Sequence, residues 1–321
     1  MTSKKSLDII SVGDANIDLL MKVPHHPDLQ SHGELGSGVR GSAYHIGCGG
    51  VAVNVAAGMA RLGNRTGFVG TIGDDDLGET FRQNLTHQAI DISHLHILPD
   101  EATSLACIFE QEDGQSVFYV CPGTRYIPSE CLPEPYIASA RMLFMVGHML
   151  TQDEVTGNAL LQAIEIAREY GVIVALDPGK YWLYQELTSY VRQAIKMADI
   201  LLPNDNEAEL LTGKKHAEDA ARMLLDEGVD IVAVKMAGQG SVICSREEQF
   251  TVPAFKTRVH SSLGAGDAFN SGFLHGYLKQ WPLEKAGLFA SATAGLKIRH
   301  LGTQGGLPAE KEVEVFLKTV I

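Results

Sequence analysis

Apolar residues along the chain fall into short runs separated by helically spaced segments or glycine-rich turns. Leu7–Val12 is apolar and β-branched and stops at Gly13, the pattern of a buried strand. From Asp18 to Gly47 the texture changes, because Pro24, Pro27, Gly33, Gly36, Gly38 and Gly41 interrupt a stretch of little apolar mass. That stretch predicts short strands and turns outside the main core. Gly50–Leu62 is rich in small residues and is stopped by Gly63, which predicts a helix. Arg65–Ile72 reads as the next strand, with a helix from GDDDLG to about Gln88. Ser104–Glu110 and Ser116–Val120, joined through Glu112-Asp113-Gly114, predict a β-hairpin that can join the 18–47 region in a small separate sheet.

Beyond about Cys131 the alternation becomes regular. Strands are expected at Met142–Val146, Val172–Leu176, Asp199–Leu202 and Asp230–Lys235, and helices over Asp153–Tyr170, 204–212 and 217–227. Two helices rich in small residues, 265–280 and 283–299, and a terminal helix over 309–320 complete the pattern. This order predicts one α/β domain over 1–321, a doubly wound and mostly parallel sheet flanked by helices. A small β appendage is inserted from about 18–47 and 102–122.

Composition narrows the function. A net charge of −13 with no basic run argues against nucleic acid as a partner. The five cysteines are scattered and form no C-x-x-C pair, which suits a reducing compartment. No apolar run approaches the ~20 residues that span a bilayer, and no apolar signal core precedes the first strand. These observations predict a cytoplasmic protein with no membrane partner. The twelve histidines suggest no metal centre; Asp91, His94 and His96 are expected in a solvated loop.

Three constellations carry candidate chemistry. In Leu263-Gly264-Ala265-Gly266-Asp267-Ala268-Phe269, two glycines precede a helix whose first amides form a natural anion site. Asp267 in that turn is either a carboxylate that favours the helix dipole or a base that takes a proton from an attacking hydroxyl. In Gly49-Gly50-Val51-Ala52-Val53-Asn54, glycines open another helix and Asn54 offers both donor and acceptor to a polyol. No G-x-G-x-x-G arises there, no strand is expected directly before it, and no Walker A sequence exists in the chain. Asn16-Ile17-Asp18 is expected at the end of the first strand, where ligands of open α/β sheets collect; Asp18 is either a turn residue or an acceptor for two hydroxyls.

GGVAVN (49–54), RTGFVGTIGDDDLG (65–78) and LGAGDAF (263–269), in this order and spacing, resemble the signatures of the ribokinase-like, or PfkB, carbohydrate kinases. The resemblance implies an α/β core with a β lid, ATP as donor and Mg²⁺. It implies Asp267 as catalytic base, with the amides of Gly264, Ala265 and Gly266 as the anion hole. Asn204 and Glu207 fit an N-x-x-E motif that places Mg²⁺ through its waters, although the residues alone read better as a capping Asn with an acidic first turn. Asn16, Asp18, Gly49, Gly50 and Asn54 fit positions that bind a sugar-like substrate. Lys235, Gly238 and Gly240 fit the strand and turn along the nucleotide, and 302–306 fits a later loop near the cation and adenosine. A homodimer through the lid is compatible with the family.

Two departures stand out. Ser261-Ser262-Leu263 replaces the family's Asp-Thr-Thr, whose acid helps hold a monovalent cation, which argues against K⁺ activation. Ala237 stands where a glycine is usual. Arg40 and Arg125 are candidates for an anionic sugar, and Phe118, Tyr119 and Tyr44 for stacking a nucleobase. Beside kinases of sugars or nucleosides, a non-catalytic sugar or nucleotide sensor is the remaining class.

Overall fold

The computed structural model describes residues 5–25, 39–124, 126–179 and 188–320. Residues 26–38 of the proposed appendage and Arg125 lie outside them. In chain order the first elements are β1 (Leu7–Val12), β2 (Asn16–Lys22), β3 (Ala43–Gly49), α1 (Val51–Arg61), β4 (Thr66–Gly73) and α2 (Asp76–His87). Then follow β5 (Leu95–Leu98), β6 (Ser104–Glu110), β7 (Ser116–Cys121), α3 (Glu134–Ala138), β8 (Ala140–Val146), α4 (Gly147–Leu150), α5 (Glu154–Glu169) and β9 (Ile173–Asp177). The chain continues through α6 (Thr188–Met197), β10 (Ile200–Leu201), α7 (Asp205–Thr212), α8 (Ala217–Asp226), β11 (Ile231–Lys235), β12 (Ser241–Ser245) and β13 (Gln249–Val252). It ends with α9 (Ala265–Leu278), α10 (Leu283–Lys297) and α11 (Glu310–Val320).

Nine strands form the large sheet in the order β13-β12-β11-β10-β9-β8-β1-β4-β5. All neighbours from β11 to β5 are parallel, while β12 and β13 pair antiparallel at one edge. Alternation along the strands explains the double winding. Ile10, Leu143, Met145, Val174, Leu176, Val232 and Val234 enter one buried cluster with α5, α6 and α8, whereas Ile9, Met142, Phe144, Ala175 and Ala233 enter another with α1, α9 and α10. The second sheet, β3-β2-β6-β7, has four strands, with β2 and β6 parallel and the outer pairs antiparallel.

Several local expectations change. Asn16–Asp18 do not end β1; they open β2, because Gly13–Ala15 lead the chain directly from one sheet into the other. A strand, β3, does run directly into Gly49-Gly50, against expectation; its glycines and histidine hid it from a propensity reading. The 94–96 region is not a solvated loop. It enters edge strand β5, and His94 packs its ring on Tyr136 with centroids 4.1 Å apart. The β12–β13 edge and α6 carried no strong pattern.

Helices α9 and α10 meet along small residues. A Cβ on Gly272 would lie 2.7 Å from the Ala290 Cα, a backbone atom that cannot turn aside. Gly272→Ala should therefore lower stability by about 1–3 kcal/mol despite the better helix propensity of alanine, read from the urea midpoint; an unchanged midpoint would mean that the helices separate freely.

Candidate active site

The carboxyl ends of the parallel strands supply the charged and polar groups, as open α/β sheets require. Asp14 follows β1, His148 follows β8, Asp177 ends β9, Asn204 follows β10 and Lys235 ends β11. Against this row the amino ends of α1 and α9 converge. Asn54 on α1 donates to the Asp267 Oδ2 on α9 at 2.7 Å and is approached by Gln304 at 3.3 Å. Small residues permit the approach: a Cβ on Gly58 would strike the Ser271 Oγ at 2.2 Å.

On one side of Asp267 lies an oxygen-rich cleft. Asp18 is buried, and the Thr303 hydroxyl lies 3.0 Å from its Oδ2. Its carboxylate lies about 2 Å from where a Cβ of residue 49 would stand, so any side chain at 49 would displace it. Asn16 Nδ2 donates to Asp14 at 3.3 Å, and His148 Nε2 lies 3.4 Å from the other oxygen of Asp14. The buried Asn16 Oδ1 has no hydrogen-bond partner among the described residues. Burial pushes the Asp18 carboxyl up to about 7; the Thr303 hydroxyl opposes this, while Asp14 and Asp267 add repulsion. Asp267 is half-buried, deep enough for burial to push its carboxyl up to about 7. The Asn54 bond opposes that rise, Asp177 adds to it, Lys235 opposes it, and Asp14 adds to it.

On the other side is a cavity of about 400 Å³ lined by Lys235, Gly238, Gly240, Ala265, Gly266 and Phe255, among others. Gly264 caps α9 with φ 72°, a left-handed conformation, and a Cβ there would lie 2.4 Å from the Thr303 carbonyl. The Ala265 amide donates to the Ser262 carbonyl at 3.2 Å, so of the three amides expected in an anion hole this one is engaged in a turn. Lys235 is held by Asp177 at 2.7 Å and Asn270 at 3.0 Å, and Asn270 also donates to Asp177 at 2.6 Å. Ala237, the non-glycine in the turn, adopts φ 47°, a conformation glycine would take without strain.

Asn204 and Glu207 form a full capping box on α7: the Asn204 side chain accepts from the Glu207 amide at 2.8 Å, and Glu207 accepts from the Asn204 amide at 2.8 Å. A bridge between Asn204 and Lys235 brings this helix start beside the cavity. Among the described residues no group of three or more His, Cys, Asp or Glu could hold a metal, and no helix is long and apolar enough to cross a membrane. All five cysteines are free, with Cys48 pushed up to about 12 by burial. Arg40 is exposed. Sequence reasoning missed His148, Asp177 and Asn270; of these, Asp177 had a signal, a carboxylate between a β-branched run and Pro-Gly.

A sequence profile described as pfkB family carbohydrate kinase matches residues 6–310. The chain belongs to the pfkB family of carbohydrate kinases. It is 27% identical to a ribokinase of Haemophilus influenzae over 323 aligned positions, covering 98% of this chain and 99% of that one. Among solved structures, an E. coli protein described as ribokinase II, in complex with ATP and Mg²⁺, superposes with a TM-score of 0.86 at 21% identity, covering 98% of this chain and 99% of that one. The aminoimidazole riboside kinase from Salmonella enterica, with aminoimidazole riboside and an ATP analogue, superposes with a TM-score of 0.79 at 26% identity, covering 97% and 99%. Like its family, the chain is a kinase with the ribokinase fold.

Because the Asp18 and Asp267 carboxyls stand above their unfolded values, each withholds stability increasingly as pH rises from about 4 to about 7. Asp267→Asn removes one of them and keeps an oxygen for Asn54. Its Tm should exceed that of the wild type by a few degrees at pH 8, with the difference shrinking toward pH 4, as calorimetry would show; a lower Tm at pH 8 would contradict the burial cost.

Proposed function

We propose that the chain transfers the γ-phosphoryl group of ATP to a hydroxyl of a neutral, sugar-like acceptor, with Asp267 as general base. The observation that carries this reading is the position of Asp267. It directly follows Gly266 of the cavity lining, lies close enough to Lys235 on one side and to Asp14 and Asp18 on the other to feel their charges, and is tethered by Asn54 at 2.7 Å. ATP would place its phosphates against the Gly264 and Gly266 amides and Lys235, with the Ala265 amide joining once it leaves its turn. Its adenosine would lie along Gly238, Gly240 and Phe255.

The residues near the phosphates suit Mg²⁺. Asn204 and Glu207 carry hard oxygen donors at the start of α7 and would hold the ion through its waters, with the phosphates as further ligands. When bound there it neutralises phosphate charge. The acceptor hydroxyl gives its proton to the Asp267 carboxylate as its oxygen bonds to phosphorus, and the bond to ADP breaks. The small sheet would act as a lid that excludes water.

The cleft also supports an acceptor class. Its oxygens are mainly acceptors, including the Asn16 Oδ1 that has no partner among the described residues, so a ligand rich in hydroxyl donors satisfies them. Asp14, Asp18 and Asp267 repel a phosphate or carboxylate, and the nearby Lys235 is already paired with Asp177. A nucleoside acceptor is the second reading, favoured by Phe118: the β6–β7 register sets it on the face that carries Asp18. Tyr44 and Tyr119 fall on the opposite face, so they do not share in stacking. That outer face, with Tyr44, Ile46 and Tyr119 exposed, would be the surface for a second copy of the chain.

With a panel of pentoses, ketohexoses, keto-deoxy sugar acids, sugar phosphates and nucleosides, ADP release should occur with a neutral polyol or nucleoside. Asp267→Asn should keep acceptor affinity and lose about 10²–10⁴ in kcat; an unchanged kcat removes Asp267 from this role. The base works only when ionised, so kcat/KM should rise about tenfold per pH unit up to about 7 and then level. A profile flat down to about pH 5 would contradict the raised carboxyl. Sedimentation should show a dimer that Tyr44→Glu dissociates; a monomeric wild type refutes that interface.

A further inference from the structure

Behind the loop that precedes α9 lies a buried lysine. Lys297, the last residue of α10, is fully buried, and its ammonium donates to the carbonyl of Leu263, the residue before the cap Gly264. A lysine in the interior needs anions or oriented carbonyls around its head. The carboxylates it feels are Asp267, in front of the loop, and Glu110, delivered from the small sheet by β6.

Glu110 is itself fully buried. It accepts from the Ser261 hydroxyl at 3.0 Å and the Ser262 amide at 3.2 Å, and pairs with Lys22 at 2.9 Å. The adjacent Ile298 carbonyl accepts from the amides of His260 and Ser261 at 2.7 and 3.2 Å. The 260–263 strap is thus pinned to the carboxyl end of α10, where the helix dipole favours a cation. Burial pushes the Lys297 ammonium down to about 8, and Asp267 and Glu110 oppose that fall, so it stays mostly charged at neutral pH.

We propose that Lys297 is a positioning residue whose ammonium is a built-in cation, holding the Leu263 carbonyl and the amides that follow it in place of any free monovalent ion. A methionine would fill the same volume, so packing alone does not require the charge. What the charge adds is a fixed orientation for the Leu263–Gly264 peptide and positive potential beneath the loop that receives phosphoryl oxygens. This rests on the phosphotransfer reading for its rate measurements but not for its melting measurements.

The test compares the full chain in choline chloride and in potassium chloride at equal ionic strength. Wild-type turnover with ATP, Mg²⁺ and the preferred acceptor should be the same in both. Lys297→Met in choline should lose about tenfold or more in kcat with little change in the KM for the acceptor, and potassium or ammonium should restore part of the loss. Thermal melting without ligands supplies a readout independent of activity: potassium should leave the wild-type Tm unchanged and raise that of Lys297→Met, because an ion that binds only the folded state stabilises it. A wild-type enzyme activated severalfold by potassium overturns the proposal, as does a Lys297→Met enzyme that is fully active in choline or recovers nothing from either cation. If Lys297→Met does not fold, the wild-type rates decide. If no acceptor supports turnover, that failure belongs to the phosphotransfer reading, and the melting comparison decides this one.

Discussion

The hydrogen bond from Asn54 to Asp267 joins two helix starts 213 residues apart, and the rest of the site is arranged around it. For the bond to form, α1 and α9 must approach until Gly58 touches Ser271, and α10 must in turn lie against Gly272 and Gly276 of α9. The small-residue character of these helices is thus a geometric requirement of the site. It also explains why Asp267 can be a carboxylate at all: without a donor fixed by the scaffold, an acid this deep would simply remain protonated.

Charge is distributed by the sheet. Asp14, Asp177 and Lys235 stand at strand ends within one row, so each alters its neighbours. Lys235 is pinned by Asp177 and Asn270, which keeps its ammonium beside Gly266 instead of against Asp267. An ammonium paired directly with Asp267 would hold its carboxyl low and weaken it as a base. The carboxylates of Asp14 and Asp18 lie to one side of Asp267, and Lys235 lies beside Gly266 on the other; the proposed placement of a hydroxylated ligand and a phosphate rests on this asymmetry.

The small sheet contributes side chains to the candidate site and to the loop before α9. β2 places Asn16 and Asp18 beside α1, and β6 sends Glu110 across to Ser261 and Ser262. His45 of β3 packs against Gly302, next to the Thr303 that holds Asp18. Movement of this sheet would therefore reach the surroundings of Asp18 and the loop before α9 together.

The sequence alone determined the alternation of strands and helices, the existence of two sheets, and the two glycine-led helix starts with Asn54 and Asp267, because periodicity and glycine punctuation are local properties of the chain. Its capping reading of Asn204 and Glu207 also matches the bonds that form. It could not show that Asn16 and Asp18 open a second sheet, that β12 and β13 finish the first, or that Tyr44 and Tyr119 face away from Phe118, since register and edge pairing depend on partners far along the chain. Tertiary structure also decided the electrostatics. Burial raises Asp18 and Asp267, Asp177 takes up Lys235, Glu110 comes to Ser261, and Lys297 turns inward under Leu263. A residue's charge is written in its identity, but desolvation and the distance to the next charge exist only once the chain has folded.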